Sequence, residues 1–233
     1  MPKKLGVIGG MGPEATSYFY EEVIRHTDAA RDQDHIDMVI LSHASMPDRT
    51  QAILSGKDEA LMAEMAKDTR ALTMLGAANI AIPCNTSHYF YDRIQTTTPV
   101  PIIHMPRESA RQAAALMGGK GRIGIMGTDG TIRAGVYHKA CLEAGLTPVV
   151  PGEEAQKQVM RLIYDDIKSG LPGNPERFEY AVKDLRGSGC DMIVLACTEI
   201  SVFKRGYQVP AFCLDAMDVL VKEAILRSGA SYK

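Results

Sequence analysis

The chain has 233 residues, of which 45% are hydrophobic and 23% are charged, so it can bury a sizeable core as one large domain or two small ones. Its formal net charge of −2 provides no general attraction to nucleic acid or to an anionic membrane, and we expect neither as a partner. The opening residues MPKKLGVIGGMGPEA lack the apolar stretch of a signal peptide, and no apolar run is long enough to span a membrane. The sequence therefore predicts a cytoplasmic protein.

The cysteines indicate free thiols. There are five of them, an odd number without a CxxC pair, so neither a disulfide framework nor a zinc site is predicted, and we expect no bound metal. In a reducing compartment all five should be unpaired. They are Cys84, Cys141, Cys190, Cys197 and Cys213.

Short apolar runs alternate with longer amphipathic segments along the whole chain. The segments KDEALMAEMAKDTRALTMLG and PERFEYAVKDLRGSG carry apolar residues at helical spacing and end in glycine. Such alternation is typical of an α/β fold in which helices cover both faces of a parallel sheet. The predicted strands, in chain order, are KLGVI, IDMVILSH, ANIAIP, VPIIH, RIGIM, CDMIVLA and VPAFCL.

The first strand runs into a glycine-rich turn, GVIGGMGPEAT. Gly10, Gly12 and Ala15 satisfy the spacing of a dinucleotide-binding turn. That interpretation requires an acidic residue at the end of the second strand, but Asp34 and Asp37 lie at its beginning. Backbone amides at a helix start bind a carboxylate as readily as a phosphate, so a small carboxylate ligand fits this turn better.

The second half of the chain repeats the first. LGVIGGMGPEAT aligns with IGIMGTDGTIRA at an offset of 118 residues, and ANIAIPCNTSH aligns with DMIVLACTEIS at an offset of 113. VPIIHM aligns with VPAFCL at an offset of 109. The order of the three blocks is preserved, and the second block places Cys84 over Cys197. The chain is therefore interpreted as two copies of one α/β unit.

Two copies predict two similar lobes related by a pseudo-twofold axis, with the active site between them. We expect residues 1–104 together with 210–233 to form the first lobe and residues 105–209 to form the second. The last helical segment, AMDVLVKEAILRSG, then belongs to the first lobe.

Cys84 and Cys197 each follow an apolar strand and precede polar residues. A single cysteine at a strand end is ordinarily a small buried hydrophobic residue, but two at equivalent repeat positions indicate a function. Amides at the start of the following helix are expected to lower the thiol pKa. A thiolate on one face of a carbon and a thiol on the other can remove a proton and return one with inversion. The other three cysteines are interpreted as packing residues.

The segments GVIGGMGPEAT, PCNTSH and ACTEIS together resemble the aspartate/glutamate racemase superfamily, and most closely its branch of aspartate racemases and broad amino-acid racemases. Glutamate racemases usually carry Asp-Ser-Gly at the first turn and Cys-Thr-His at the second cysteine, whereas this chain has Gly-Gly-Met-Gly and Cys-Thr-Glu. The resemblance implies a homodimeric, cofactor-independent racemase, free of pyridoxal phosphate, that interconverts L- and D-aspartate, with glutamate and other amino acids open as further substrates.

The resemblance also implies residue roles. Cys84 and Cys197 correspond to the two acid/base residues, Arg49 to the arginine that binds the distal carboxylate, and Lys168 to a lysine that assists it. Glu199 completes the substrate-binding set. The residues expected to hold the α-carboxylate are Met11, Gly12, Asn85, Thr86, Thr128 and Thr198.

Several alternatives stay open at the level of sequence. Nicotinamide binding is disfavoured because Thr128 replaces the first glycine of the motif in the second copy, and a cysteine hydrolase using Cys84 and His88 leaves Cys197 without a role. Hydantoin racemase and maleate isomerase belong to the same superfamily and use similar cysteines, whereas arylmalonate decarboxylases normally keep one. A two-lobed ligand-binding protein without catalytic activity is the remaining alternative.

Overall fold

The structure is a computed structural model that describes residues 2–233. Within those residues it contains seven β-strands and eleven α-helices. The strands are β1 (Leu5–Gly9), β2 (Met38–Ser42), β3 (Asn79–Ala81), β4 (Arg122–Met126), β5 (Thr147–Val149), β6 (Met192–Leu195) and β7 (Cys213–Asp215). The helices are α1 (Pro13–His26), α2 (Arg49–Ser55), α3 (Glu59–Met74), α4 (Tyr91–Gln95), α5 (Met105–Leu116), α6 (Asp129–Ala134), α7 (Val136–Glu143), α8 (Glu153–Arg161), α9 (Pro175–Gly187), α10 (Thr198–Phe203) and α11 (Ala216–Arg227).

The chain divides into two compact units. The first contains the described residues up to Met105 together with Met217–Lys233, and the second is Pro106–Ala216. Each unit has its own parallel sheet, and helices flank the sheets, so the predicted α/β class is confirmed.

In the first unit the sheet order is β2-β1-β3. All five residues of β1 are buried, as expected for the central strand of a parallel sheet, and Leu5 is in register with Met38 on one side and Asn79 on the other. The predicted strand VPIIH is reduced to a single bridge between Ile102 and Ile80. Proline has no N–H to donate to a ladder. Pro101 lies within this segment and Pro99 directly precedes it, so regular pairing does not extend along it.

In the second unit the sheet order is β5-β4-β6-β7, with all neighbours parallel. Strand β5 was not predicted, because it is only three residues long and has Pro148 at its centre. Proline is tolerated there because β5 lies at the edge of the sheet and needs only one ladder of hydrogen bonds.

The two sheets share one connectivity. In each unit the first strand is central, the second strand lies on one side of it and the third on the other. The bridge at Ile102 continues the first sheet beyond β3 in the way that β7 continues the second sheet beyond β6. The repeat seen in the sequence is therefore a repeat of topology.

The core of the first unit lies between its sheet and the helices that flank it. Helix α3 contributes Leu61, Met65 and Leu72, which are completely or almost completely buried and recur at helical spacing on one face. Met11 and Cys84 belong to the same cluster of buried residues, so the glycine turn and the first cysteine are both packed against this core. None of the helices among the described residues combines the length and the apolar character needed to cross a membrane.

Candidate active site

The first glycine turn of the first unit is held by Thr16. The Thr16 hydroxyl accepts a hydrogen bond from the Gly10 amide at 2.8 Å and donates one to the Gly12 carbonyl at 3.0 Å. Gly10 has φ of +85°, and a Cβ at this position would lie 2.4 Å from the main-chain carbon of His43. Only glycine fits such a turn. It carries Met11 and Gly12 to the start of α1.

Cys84 lies beside this turn. The chain leaves β3, forms a tight bend in which the Cys84 amide donates to the Ile82 carbonyl at 2.7 Å, and buries Cys84 to 6% exposure. Met11 packs in the same core cluster, and the hydroxyl of Ser87 donates to the Met11 sulfur at 3.5 Å. The strand end, the glycine turn and the cysteine are therefore joined in one arrangement. Asn85 and Thr86, which follow Cys84, are also buried.

His88 does not form a catalytic pair with the Cys84 sulfur. Its Nδ1 atom lies 3.0 Å from the main-chain carbonyl of Cys84, and its Nε2 atom lies 3.2 Å from the carbonyl of Ile103. Burial lowers the pKa of His88, while the hydrogen bonds to these carbonyls oppose that shift. Both ring nitrogens lie against main-chain carbonyls and not against the Cys84 sulfur, so the cysteine-hydrolase arrangement is not formed.

Arg49 is the first residue of α2 and is half-buried. Its Nη1 atom donates to the carbonyls of Met46 at 3.2 Å and Pro47 at 3.0 Å, which orients the guanidinium. Its Nε atom is buried and has no hydrogen-bond partner among residues 2–233. A buried N–H without a partner is costly, and an anionic ligand would satisfy it. Helix α2 also packs against the segment Thr86–Phe90 that follows Cys84.

In the second unit the equivalent turn is built differently. Thr128 caps α6, where its hydroxyl accepts a hydrogen bond from the Thr131 amide at 3.1 Å. A Cβ on Gly127 would lie 3.0 Å from the Ala196 carbonyl, so this turn runs against the residue that precedes Cys197. Turn and cysteine are again adjacent, as in the first unit.

Cys197 precedes α10 and is 7% exposed. Its thiol donates to Glu199 Oε2 at 2.8 Å, and the Thr198 hydroxyl donates to the same oxygen at 3.3 Å. Burial raises the pKa of the Cys197 thiol well above its usual range, and the Glu199 carboxylate adds to the shift. The expected net lowering of the thiol pKa is wrong for Cys197. Lys168 and the Glu199 amide do lower it, but burial and the Glu199 carboxylate raise it by more.

Lys168 is the partner of Glu199. It lies in the short 3-10 helix Ile167–Ser169, which follows a π-helical turn at Leu162–Asp166. Its Nζ atom is 3.7 Å from Glu199 Oε1 and 4.5 Å from the ring centre of Tyr164. The structure thus joins Lys168 to Cys197 through Glu199, and the predicted assistance to Arg49 stays a prediction.

Sequence reasoning missed three residues that shape the first unit's site. Thr16 and Ser87 act through single hydrogen bonds that no spacing rule signals. His43, whose Nδ1 is 2.9 Å from Asp68 Oδ2, anchors the segment that leads to Arg49. His43 is the last residue of the predicted strand IDMVILSH, and its place at a strand end could have marked it as a candidate. Nothing in the sequence identifies its partner, Asp68.

The predicted site residues fall into one group in each unit. Within the described residues, no three or more His, Cys, Asp or Glu side chains converge as a metal site would require. Cys141 and Cys190 are buried in the second unit, and Cys213 is half-buried there. The first group contains Met11, Gly12, Arg49, Cys84, Asn85 and Thr86, and the second contains Thr128, Lys168, Cys197, Thr198 and Glu199.

The chain is similar in sequence or in fold to three known proteins over nearly its whole length. The broad specificity amino-acid racemase RacX of Bacillus subtilis is 25% identical over 234 residues, covering 95% of this chain and 96% of that protein. The aspartate racemase of Picrophilus torridus superposes with a TM-score of 0.82 at 26% identity, covering 99% and 96% of the two chains. An aspartate racemase homologue from Pyrococcus horikoshii gives a TM-score of 0.76 at 25% identity, covering 97% and 99%.

The fold and these likenesses define the class as a racemase, which is an isomerase. The profile of the Asp/Glu/hydantoin racemase family matches residues 8–224. The chain belongs to that family, which confirms the resemblance drawn from the three sequence segments.

Proposed function

We propose that this protein is an amino-acid racemase that interconverts L- and D-aspartate, using Cys84 and Cys197 as its two acid/base residues. The observation that carries the proposal is the pair of buried cysteines at equivalent strand ends of two sheets with the same connectivity. The similarity to an amino-acid racemase and to aspartate racemases over almost the whole chain supports the substrate class.

Racemisation breaks the bond between the α-carbon and its hydrogen and forms it again on the opposite face. One sulfur, as thiolate, takes the α-proton while the other, as thiol, gives its proton to the opposite side of the carbon. The electron pair of the second S–H bond remains on its sulfur. The roles exchange when the other enantiomer reacts, so two thiols supply both proton transfers without pyridoxal phosphate or a metal.

Carboxylate groups of the substrate need hydrogen-bond donors. Arg49 is proposed to bind the side-chain carboxylate of aspartate, because its buried Nε has no partner among the described residues. Lys168 is proposed to assist it. Donors at the two turns and after the two cysteines are proposed to hold the α-carboxylate and to stabilise the charge that builds on it as the proton leaves. These are Met11, Gly12, Asn85, Thr86, Thr128 and Thr198.

The remaining parts of the proposal concern the setting of the enzyme. We also propose that the enzyme acts in the cytoplasm, where its five free cysteines would stay reduced, and that it is a homodimer, which is what the family resemblance implies. Glutamate and other amino acids are secondary substrates to be tested beside aspartate.

The purified protein, dialysed against a chelator and free of pyridoxal phosphate, should convert L-aspartate into a racemic mixture, followed by chiral chromatography. Cys84→Ser and Cys197→Ser should each abolish conversion, because each removes one of two required proton carriers, while Cys190→Ser serves as the matched control. Conversion of a 5-substituted hydantoin or of maleate without conversion of any amino acid would replace the proposal. Full activity of either catalytic-cysteine variant would defeat the two-thiol mechanism.

A further inference from the structure

The two cysteines of the repeat have unequal surroundings. Two positions after Cys197 stands Glu199, whereas two positions after Cys84 stands Thr86. Among residues 2–233, no carboxylate forms a hydrogen bond with the Cys84 sulfur, whereas the Cys197 sulfur lies 2.8 Å from Glu199 Oε2. The symmetry of the fold therefore does not extend to the charge around the thiols.

The direction of the hydrogen bond at Cys197 determines where its proton lies. An ionised carboxylate offers only acceptors, so a hydrogen bond between sulfur and Glu199 requires the S–H group to donate. Ordinary thiols hold a proton about four pKa units more tightly than ordinary carboxyl groups, so the shared proton belongs to sulfur. A thiolate in this position would place two negative charges 2.8 Å apart in a buried pocket.

We propose that Glu199 is a positioning residue that keeps the proton on Cys197, so that in the free enzyme Cys197 is the acid and Cys84 the base. This inference rests on the proposed two-cysteine function. It assigns Glu199 a role through the Cys197 sulfur in place of direct contact with substrate. The free enzyme is then prepared for the enantiomer whose α-hydrogen faces Cys84.

Lys168 makes the catalytic step compatible with this arrangement. When the Cys197 S–H bond breaks, its proton goes to the α-carbon and its electron pair stays on sulfur, next to Glu199. The Lys168 ammonium, 3.7 Å from Glu199 Oε1, reduces the repulsion between the new thiolate and the carboxylate. After the product leaves, Cys197 regains a proton from water and Cys84 releases one to water, which restores the starting form.

Other titratable groups near Cys197 are already engaged. Tyr137 in α7 interacts electrostatically with Cys197, Cys141 and Asp215, and burial raises the pKa of Tyr137 above its usual range, so it stays neutral. Asp215 accepts a hydrogen bond from Ser201 at 2.6 Å and pairs with Lys204 at 2.9 Å. Glu199 and Lys168 are thus the charged groups that respond to the state of Cys197 most directly.

The test measures the thiol itself. In a Cys84→Ser background, alkylation of Cys197 by iodoacetamide is followed from pH 6 to pH 11 by mass spectrometry of the peptide that contains it. Glu199→Gln keeps the size and the hydrogen-bonding oxygen but removes the charge, so alkylation at pH 8 should become at least tenfold faster and the profile should move to lower pH. Lys168→Met should move the profile to higher pH. Glu143→Gln, on the exposed face of α7, should leave it unchanged.

The outcomes separate this inference from the proposed function. Because alkylation does not require turnover, a shifted profile in a protein that racemises no amino acid would support the proton-holding role and reject the function. An unchanged profile in Glu199→Gln, in a background whose parent racemises aspartate, would overturn the inference and leave the function standing. If Glu199→Gln fails to fold, Lys168→Met becomes the deciding variant. An alkylation profile that is unchanged, or that moves to lower pH, would then overturn the inference.

Discussion

Arg49 combines a fixed guanidinium with an unused buried donor. Two main-chain carbonyls hold its Nη1 atom, and its Nε atom has no partner among the described residues. Hydrogen bonds to charged groups contribute about 1.5–3 kcal/mol. We therefore predict that Arg49→Gln raises KM for aspartate by roughly 10- to 100-fold, with a smaller change in kcat, in steady-state assays with both enantiomers.

The control for this prediction is Arg70→Gln, since Arg70 is an exposed arginine of the same unit. It should leave KM within twofold of the parent. An Arg49→Gln protein that folds normally and keeps the parent KM would show that the arginine does not bind substrate.

At the scale of residues, the two cysteines could be predicted because a repeat made them equivalent. The role of Glu199 could not, since its effect depends on a side-chain rotamer that brings Oε2 to 2.8 Å from the Cys197 sulfur. The same is true of His88, which four-residue spacing places near Cys84 but which contacts its carbonyl and not its sulfur.

At the scale of elements, the turn between β1 and α1 depends on Gly10. Its φ of +85° and the 2.4 Å approach of a Cβ to the His43 main chain exclude any other residue without movement of the backbone. We predict that Gly10→Ala lowers the free energy of unfolding by about 3 kcal/mol or more, measured by urea denaturation.

Gly56→Ala provides the comparison, because Gly56 also has a positive φ, of 68°, but nothing lies within 4 Å of the added Cβ. It should cost only about 1 kcal/mol of backbone strain. Equal losses in the two variants would contradict the close approach of the turn to His43.

Most elements were predictable from alternating apolar runs and amphipathic segments. The errors were short elements that contain proline. VPIIH has the composition of a strand but forms one bridge, and β5 has the pairing of a strand but only three residues. In both cases, whether the segment forms a strand depends on the hydrogen bonds that its neighbouring strand offers. Those hydrogen bonds exist only in the assembled sheet and leave no pattern in the local sequence.

At the scale of the whole molecule, buried thiols make stability depend on pH. Burial raises the pKa of Cys141 from 9.0 to about 12. In the unfolded chain this thiol ionises near pH 9, whereas in the folded protein it stays protonated, so the unfolded state binds fewer protons between pH 9 and pH 12. Stability is therefore fully present below pH 9 and is lost above it, at about 1.4 kcal/mol per pH unit for each such thiol.

The pKa values of Cys190 and Cys213 are raised by burial as well, so their contributions have the same sign. We predict that the urea midpoint is nearly constant from pH 7 to pH 8.5 and falls steeply by pH 10.5. Cys141→Ala should be less stable at pH 7 because it leaves a cavity, but its decline above pH 9 should be shallower. An identical slope in the variant would contradict a buried, protonated Cys141.

The organisation of the molecule as two copies of one α/β unit was the most informative inference from the sequence, because it turned an ambiguous glycine motif into half of a pair. The two sheets with one connectivity agree with it. The copies differ in the hydrogen bonds of their turns. In the first, the hydroxyl of Thr16 in α1 accepts from the Gly10 amide, and in the second, the Thr128 hydroxyl caps α6 by accepting from the Thr131 amide. Offsets between blocks could not reveal such differences, which depend on side-chain hydrogen bonds.

The central claim is that two thiols act on opposite faces of the α-carbon of aspartate. It is tested most directly by the reaction of L-aspartate in heavy water, stopped at a few per cent conversion, with deuterium at the α-position measured separately in product and recovered substrate. The account predicts deuterium in the D-aspartate formed and almost none in the L-aspartate recovered, with the converse pattern from D-aspartate. Equal deuterium in product and recovered substrate, or no exchange in either direction, would contradict it.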